Sequence, residues 1–413
     1  MSSIYSVKYQ LRSHRRDAFI EFIKSMLMTP FVLHSKPRYD SSSGEYERSD
    51  VTFKANEDRF CEILLRVEDL IEEHRRKTSL GLREHSRLYN LVPSIGSFFT
   101  HLSLKDAFLE CNSDKMISAR RFVPPSFNEI REILNVAQLR AISKNLKLIT
   151  FDGDMTLYDD QQDFEYDSDL VHLIVKLLEH DKTVAVVTAA SYGDEASKYE
   201  GRLKGLLKGF SLSNLTQEQL HRFFVFGGES NYLFRCNDKC HLDYIDESVY
   251  LETASPAWPE DQVVSLLNVA EKNLRRCVEE MKLSAKIIRK SRAVGLIPGE
   301  NVVLSREQLD ECVLSTQSYV CKLQNIQVSE GMPRVPFCAF NGGRDAWVDI
   351  GNKFFGVEIL KKYIGANPEQ TIHFGDQFLS TGNDFATRSA CCTCWIDGPK
   401  ETKKGLELLV SSF

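Results

Sequence analysis

The sequence predicts an α/β fold in which a parallel sheet is preceded by a helical region and split by an inserted α/β layer. Three observations carry that expectation. Apolar, strand-like runs at 146–151 and 183–188 flank a helical stretch at 170–178, the βαβ spacing of a parallel sheet. The same texture returns only at 370–374 and 392–396, close to the end of the 413 residues. The long stretch between them alternates strands and helices of its own, so the sheet domain reads as interrupted.

Residues 1–145 read as helical. Ala18, Phe19, Phe22, Ile23, Met26 and Leu27 recur at helical spacing, and Phe60, Ile63, Leu64, Val67, Leu70 and Ile71 repeat the pattern. The second stripe ends in the basic run 74–77, which suits a helix C-terminus. Asp17 and Glu21 interrupt the polar face of the basic N-terminal helix, which favours packing on another helix or subunit over a membrane surface. After Pro124-Pro125, Ser126 and Glu129 have capping-box spacing ahead of a helix at 130–140. With Arg120 and Arg121 beside it, the Ser126 helix end is a physically reasonable phosphate or effector site, although a plain packing helix explains it as well. The core is expected at 146–192 and 353–413, and the inserted cap at 193–352. Within that insertion we expect helices at 198–207, 261–281 and 306–323, and strands at 223–226, 286–297 and 335–340.

Composition removes several classes of function. With 42% hydrophobic and 27% charged residues the chain is able to bury real cores. A net charge of −6 gives no basic footprint for nucleic acid. No apolar run approaches the ~20 residues of a membrane span, and the N-terminus lacks the apolar core of a secretory signal. Eleven cysteines without framework spacing point to reduced thiols and a cytoplasmic protein. Cys391-Cys392-x-Cys394 lacks a fourth zinc ligand nearby and sits in an expected strand, so these read as core thiols. No Walker loop and no G-x-G-x-x-G follows a strand.

The sharpest signal is Phe151-Asp152-Gly153-Asp154-Met155-Thr156, directly after the first strand. Ligands of parallel sheets bind at the carboxyl ends of strands, which is where this pair of acids falls. Carboxylates two residues apart face one side of an extended segment, so one can attack while the other moves protons. A calcium loop would follow a helix and carry Glu at its twelfth position, where this chain has Asp163. Thr188 ends the next strand, Lys353 offers a cation, and Gly375-Asp376 and Asn383-Asp384 add two acids after a third strand.

This set resembles the four motifs of the haloacid-dehalogenase-type phosphatases, with the insertion resembling their α/β cap. The closer resemblance is to the IMP-specific 5′-nucleotidase family. It rests on Leu91-Val92-Pro93-Ser94-Ile95-Gly96, on Ser118-Ala119-Arg120-Arg121 and on Phe151 through Tyr158. It continues in Tyr199-Glu200-Gly201-Arg202, Gly227-Gly228-Glu229-Ser230, Arg292-Ala293-Val294-Gly295, Trp347-Val348-Asp349-Ile350-Gly351 and His373-Phe374-Gly375-Asp376-Gln377-Phe378. The resemblance implies a haloacid-dehalogenase-like core and Mg²⁺-dependent hydrolysis of IMP to inosine and phosphate. It implies Asp152 as nucleophile and Asp154 as acid and base. Asp152, the Asp154 carbonyl and Asp376 would hold Mg²⁺, with Asp384 behind them. Thr188 and Lys353 would hold the phosphoryl group. Asp160, Ser191, Asp345 and, more weakly, Asp349 are implied as nucleotide contacts. An ATP-activated homo-oligomer, a tetramer, is implied too. Our own expectation adds Arg202 as a donor to the base. The alternatives are a phosphosugar mutase or a broader phosphatase on the same core and cap, and a silent nucleotide sensor.

Overall fold

The structure, a computed structural model, describes residues 17–34, 39–40, 45–46, 49–120, 122–159, 162–251 and 258–413. Asp160 and Arg121 therefore lie outside the described residues. The chain divides into two compact units, residues 1–144 with Ser412 and residues 145–411 with Phe413.

The first unit is built on helices Ala18–His34, Ser49–Ser79, Leu104–Lys115 and Phe127–Ile142. The apolar stripes read from sequence form its core: Phe19, Ile23, Leu27, Phe60, Leu64, Val67 and Ile71 are all buried. Phe60 meets Phe108 edge to face at 5.8 Å. The last helix opens on a complete capping box. Ser126 Oγ accepts from the Glu129 N–H, and Glu129 Oε2 accepts from the Ser126 N–H at 2.7 Å. Arg120 pairs with Glu129 at 2.9 Å. The helix end that the sequence reading offered as a phosphate site thus carries its own carboxylate, Glu129.

The second unit holds two sheets. In chain order the strands are β1 (Leu148–Phe151), β2 (Thr183–Val187), β3 (Phe223–Gly227), β4 (Tyr232–Cys236), β5 (Leu242–Ile245), β6 (Ala285–Arg289), β7 (Ala293–Pro298), β8 (Phe337–Asn341), β9 (Ala346–Ile350), β10 (Thr371–Gly375) and β11 (Cys392–Trp395). The main sheet runs β11-β10-β1-β2-β3-β4-β5. The first five are mutually parallel, and β4 and β5 add antiparallel to that edge. Every residue of β1, β2, β3 and β10 is buried, which explains their near-continuous apolar runs. Cys391, Cys392 and Cys394 are buried free thiols in and beside β11.

The cap boundary expected at residue 193 is corrected by this topology. Strands β3, β4 and β5 extend the main sheet, so residues 223–245 belong to the core. The second sheet, β8-β9-β7-β6, is antiparallel and covers 285–350. The single strand expected at 286–297 is a hairpin, because the polar Lys290-Ser291-Arg292 forms its turn. Helices Glu260–Glu280 and Arg306–Ser329 pack against this sheet through a buried cluster that includes Leu266, Leu274, Val294, Leu309, Val320 and Val348. Among the described residues no helix is long and apolar enough to cross a membrane.

Gly295 pairs with Trp347 across β7 and β9, and a Cβ on it would lie 2.6 Å from the indole ring. Gly295→Ala is expected to cost the cap about 1–3 kcal/mol of overpacking. Denaturant titration of the purified variant checks this, and unchanged stability would contradict the close contact.

Candidate active site

Where β1 ends, the Asp152 N–H donates to the Phe374 carbonyl at 2.9 Å, fastening the first acid to the neighbouring strand. The chain then turns sharply: Met155 sits at φ 57°, and the Leu157 N–H returns to the Gly153 carbonyl at 2.9 Å. Gly153 is required by crowding. A Cβ there would lie 2.4 Å from the Tyr158 hydroxyl and 3.5 Å from the Thr188 hydroxyl. The tight turn therefore places Thr188, at the end of β2, beside the loop that carries Asp152 and Asp154.

The helix Lys353–Ile364 supplies the cation. Lys353 has no exposed surface, and its Nζ lies 2.7 Å from Asp152 Oδ1 and 2.7 Å from Asp384 Oδ1. Burial works against its charge, but Asp152, Asp384 and Glu229 outweigh it and hold the ammonium above its ordinary pKa. Burial likewise opposes ionisation of Asp384, yet Lys353 and His373 pull its pKa well below the usual carboxylate range. Three donors meet Asp384. Oδ1 accepts from Lys353 and from His373 Nε2 at 3.0 Å, and Oδ2 accepts from the Gln377 N–H at 2.9 Å. His373 is buried and kept neutral by desolvation, so its Nε2–H donates to Asp384 while Nδ1 accepts from the Thr150 hydroxyl at 2.8 Å. The Asp152 carboxyl is pushed up by burial, with Lys353 opposing and Asp384 and Asp376 adding.

Asp152, Asp376 and Asp384 each offer an oxygen within 4.8 Å of the others. An all-carboxylate donor set is what a hard divalent cation takes. Three carboxylates against one ammonium leave two uncompensated negative charges in a largely buried place, so the residues fit Mg²⁺. Asp384 already meets three donors, so Asp152 and Asp376 would be the readier side-chain ligands, with Asp384 behind them.

The sequence reading aimed Arg202 at a base; here it belongs to the core side and grips Asp154. Its Nη2 lies 2.6 Å from Asp154 Oδ1, Nη1 reaches Asp163 at 3.4 Å, and the guanidinium lies over the Tyr158 ring at 4.9 Å. Ser191 and Asp349 meet at a cavity of about 160 Å³ that Gly228, Tyr232, Lys290 and Arg292 also line. Asp349 is buried with Oδ1 lacking a hydrogen-bond partner, and burial pushes its carboxyl well up. Asp345 lies half-buried in the turn between β8 and β9. Residues missed from sequence are His373, Tyr158 and Glu229. A histidine inside an otherwise apolar strand was the available signal for the first.

A parallel sheet with an inserted cap, an Asp-x-Asp turn after its first strand and a buried lysine bridging two aspartates define a phosphoryl-transfer site of the haloacid-dehalogenase type. The IMP-specific 5′-nucleotidase family matches residues 1–406, and the chain belongs to that family. It is 41% identical to the IMP-specific 5′-nucleotidase 1 of Emericella nidulans over 451 aligned positions, covering 99% of this chain and 98% of the relative. Among solved structures, an N-terminally truncated, IMP-bound IMP-nucleotidase of Plasmodium falciparum has a TM-score of 0.83 at 36% identity, with 100% of both chains covered. An ATP-bound form of the Plasmodium falciparum enzyme gives 0.75 at 35% identity, covering 95% of this chain and 84% of that one.

A Cβ on Gly375 would lie 2.3 Å from Asp384 Oδ2, in a spot where Asp384 cannot retreat. Gly375→Ala is expected to lower unfolding free energy by about 1–3 kcal/mol, measured by denaturant titration.

Proposed function

We propose that the chain is a phosphoric monoester hydrolase that converts IMP to inosine and phosphate through an aspartyl-phosphate on Asp152. The observation that carries this reading is Lys353 between Asp152 and Asp384, with Asp154 two residues from the nucleophile and Thr188 beside the turn. Bound Mg²⁺ would neutralise the phosphate and the acid cluster. An Asp152 oxygen attacks phosphorus while the bond to the 5′-oxygen breaks, and Asp154 gives that oxygen a proton. Asp154, now ionised, takes a proton from the water that attacks the acyl phosphate, which releases phosphate and restores Asp152. Thr188 and Lys353 hold phosphoryl oxygens as charge shifts. Arg202 holds the Asp154 carboxylate at rest; when substrate opens that pair, Asp154 takes up a proton from solvent, and that is the proton it gives to the 5′-oxygen.

The cavity between Ser191 and Asp349 suits the nucleoside, and Asp160 and Asp345 are further contacts in this reading. Hypoxanthine offers an O6 acceptor and an N1–H donor, and adenine reverses both. Two buried mismatches at about 1–3 kcal/mol each give roughly 30-fold to 10⁴-fold preference for IMP over AMP. ATP as an effector is supported by the ATP-bound Plasmodium falciparum enzyme; the tetramer remains what the family resemblance implies, and light scattering with and without ATP would test it.

The test is phosphate release from IMP, GMP and AMP at one Mg²⁺ concentration. We expect the stated preference for IMP over AMP, and AMP within tenfold of IMP would sink the hydrogen-bonded base pocket. Excess EDTA should abolish release, and Asp376→Asn should raise the Mg²⁺ needed. Arg202→Met should lower kcat by up to the roughly 10²–10⁴-fold that acid–base catalysis contributes, with the IMP-to-AMP ratio unchanged. A changed ratio would return Arg202 to the base.

A further inference from the structure

The stretch Gly228-Glu229-Ser230 follows β3 and has three successive left-handed residues, at φ 58°, 51° and 73°. Two of them are not glycine, and each such residue costs free energy that the surroundings must offset. The turn is held by several bonds. The Gly228 N–H donates to the Ala190 carbonyl at 2.8 Å, and the Glu229 N–H donates to the Thr188 carbonyl at 3.1 Å. Asn231 Nδ2 donates to the Ile350 carbonyl at 2.6 Å, and Ser230 Oγ donates to the Asn352 carbonyl at 3.1 Å. A Cβ on Gly351 would lie 2.1 Å from the Glu229 carbonyl oxygen, and one on Gly356 would lie 2.1 Å from Ser230 Oγ. The turn is therefore seated on the strand return that leads into Lys353.

The effect of this backbone is to send an acid inward. Glu229 has no exposed surface, and burial pushes its carboxyl up to about 7, with Lys353 and Asn383 working the other way. Its Oε1 accepts from Asn383 Nδ2 at 2.9 Å, and its Oε2 lacks a hydrogen-bond partner. Asn383 is itself buried, adjacent to Asp384 in the loop 376–384. On the cap side the same loop is held by the Asn341 N–H, which donates to the Thr381 carbonyl at 2.9 Å.

We propose that Glu229 is a positioning residue for phosphoryl transfer: from its left-handed turn it fixes Asn383, and so sets the 376–384 loop with its two acids against the return that delivers Lys353. The inference rests on the hydrolase reading above, because it assigns the loop to Mg²⁺ and Lys353 to the phosphoryl group. Glu229 touches neither the substrate phosphate nor Asp152 in this account. Its carboxyl also favours the Lys353 ammonium, but the part proposed is the hydrogen bond to Asn383, and a fixed outer partner of this kind is worth about 10–100-fold in metal affinity or activity.

The experiment compares Glu229→Ala, Glu229→Gln and Asn383→Ala, alone and as the Glu229→Ala/Asn383→Ala pair. Each is assayed for kcat, KM for IMP, the Mg²⁺ giving half-maximal rate, and the rise in melting temperature on adding Mg²⁺ without substrate. Wild-type release of phosphate from IMP comes first, and its absence would overturn the hydrolase reading itself. Glu229→Ala should raise the Mg²⁺ requirement or lower kcat by about 10–100-fold, leave KM within twofold and shrink the Mg²⁺-induced melting shift. Glu229→Gln should recover most of the loss, because its amide oxygen still accepts from Asn383. The double variant should be no worse than Asn383→Ala alone. Wild-type behaviour in Glu229→Ala, losses that add in the double variant, or a glutamine variant as impaired as the alanine one would each overturn the proposal. If Glu229→Ala melts without a cooperative transition, Glu229→Gln and Asn383→Ala decide it. The first must then match wild type and the second must show the Mg²⁺ loss, and any other pair of results overturns the role.

Discussion

Lys353 is buried completely, with its ammonium 2.7 Å from Asp152 and 2.7 Å from Asp384, and the site is organised around that constraint. A buried ammonium left without partners is costly, and removing one partner of such a pair typically costs about 3–5 kcal/mol. Each neighbour is accordingly held in its turn. Asp152 is tied to β10 through its backbone, and Asp384 is held by Lys353, His373 and the Gln377 N–H. His373 is fixed by Thr150 on β1, which closes the ring of contacts across two adjacent strands. The acids around the lysine outnumber it, a donor set that would suit a divalent cation.

Much of this was legible because a parallel sheet writes its active site into sequence. Asp152, Thr188 and Asp376 each stand where a fully buried apolar run stops, so the end of hydrophobicity marks the end of a strand. Lys353 was legible only as a charge in the right order along the chain, since nothing local says that its helix points it inward. The contact between Arg202 and Asp154 was not legible, because 48 residues separate them, a distance over which spacing carries no geometry. The cap boundary failed for a related reason. The run at 223–226 is plainly a strand, but sequence does not say which of two sheets a strand joins. Glu229 was quoted only as part of a motif. Two glycines before an acid hint at an unusual turn, yet the inward direction comes from positive φ at Glu229 and Ser230 themselves.

The division of labour between core and cap follows from these contacts. The core carries the groups proposed to act on phosphorus, and the second sheet brings Asp349, Lys290 and Arg292 to the cavity that Ser191 and Tyr232 close from the core side. In the proposed reaction the core and the second sheet would thus share the nucleoside, while phosphorus would meet core groups. The two layers are joined at 350–353, where the last cap strand becomes the helix that carries the lysine.

The central claim is that Asp152, held against Lys353, is the group that receives the phosphoryl. Acid quench during steady-state turnover of IMP with Mg²⁺, followed by borodeuteride reduction, converts an aspartyl-phosphate to deuterated homoserine that peptide mass spectrometry can locate. Deuterated homoserine is expected at position 152 alone, dependent on IMP. Label at position 154, or none at any aspartate while phosphate is being released, would contradict it.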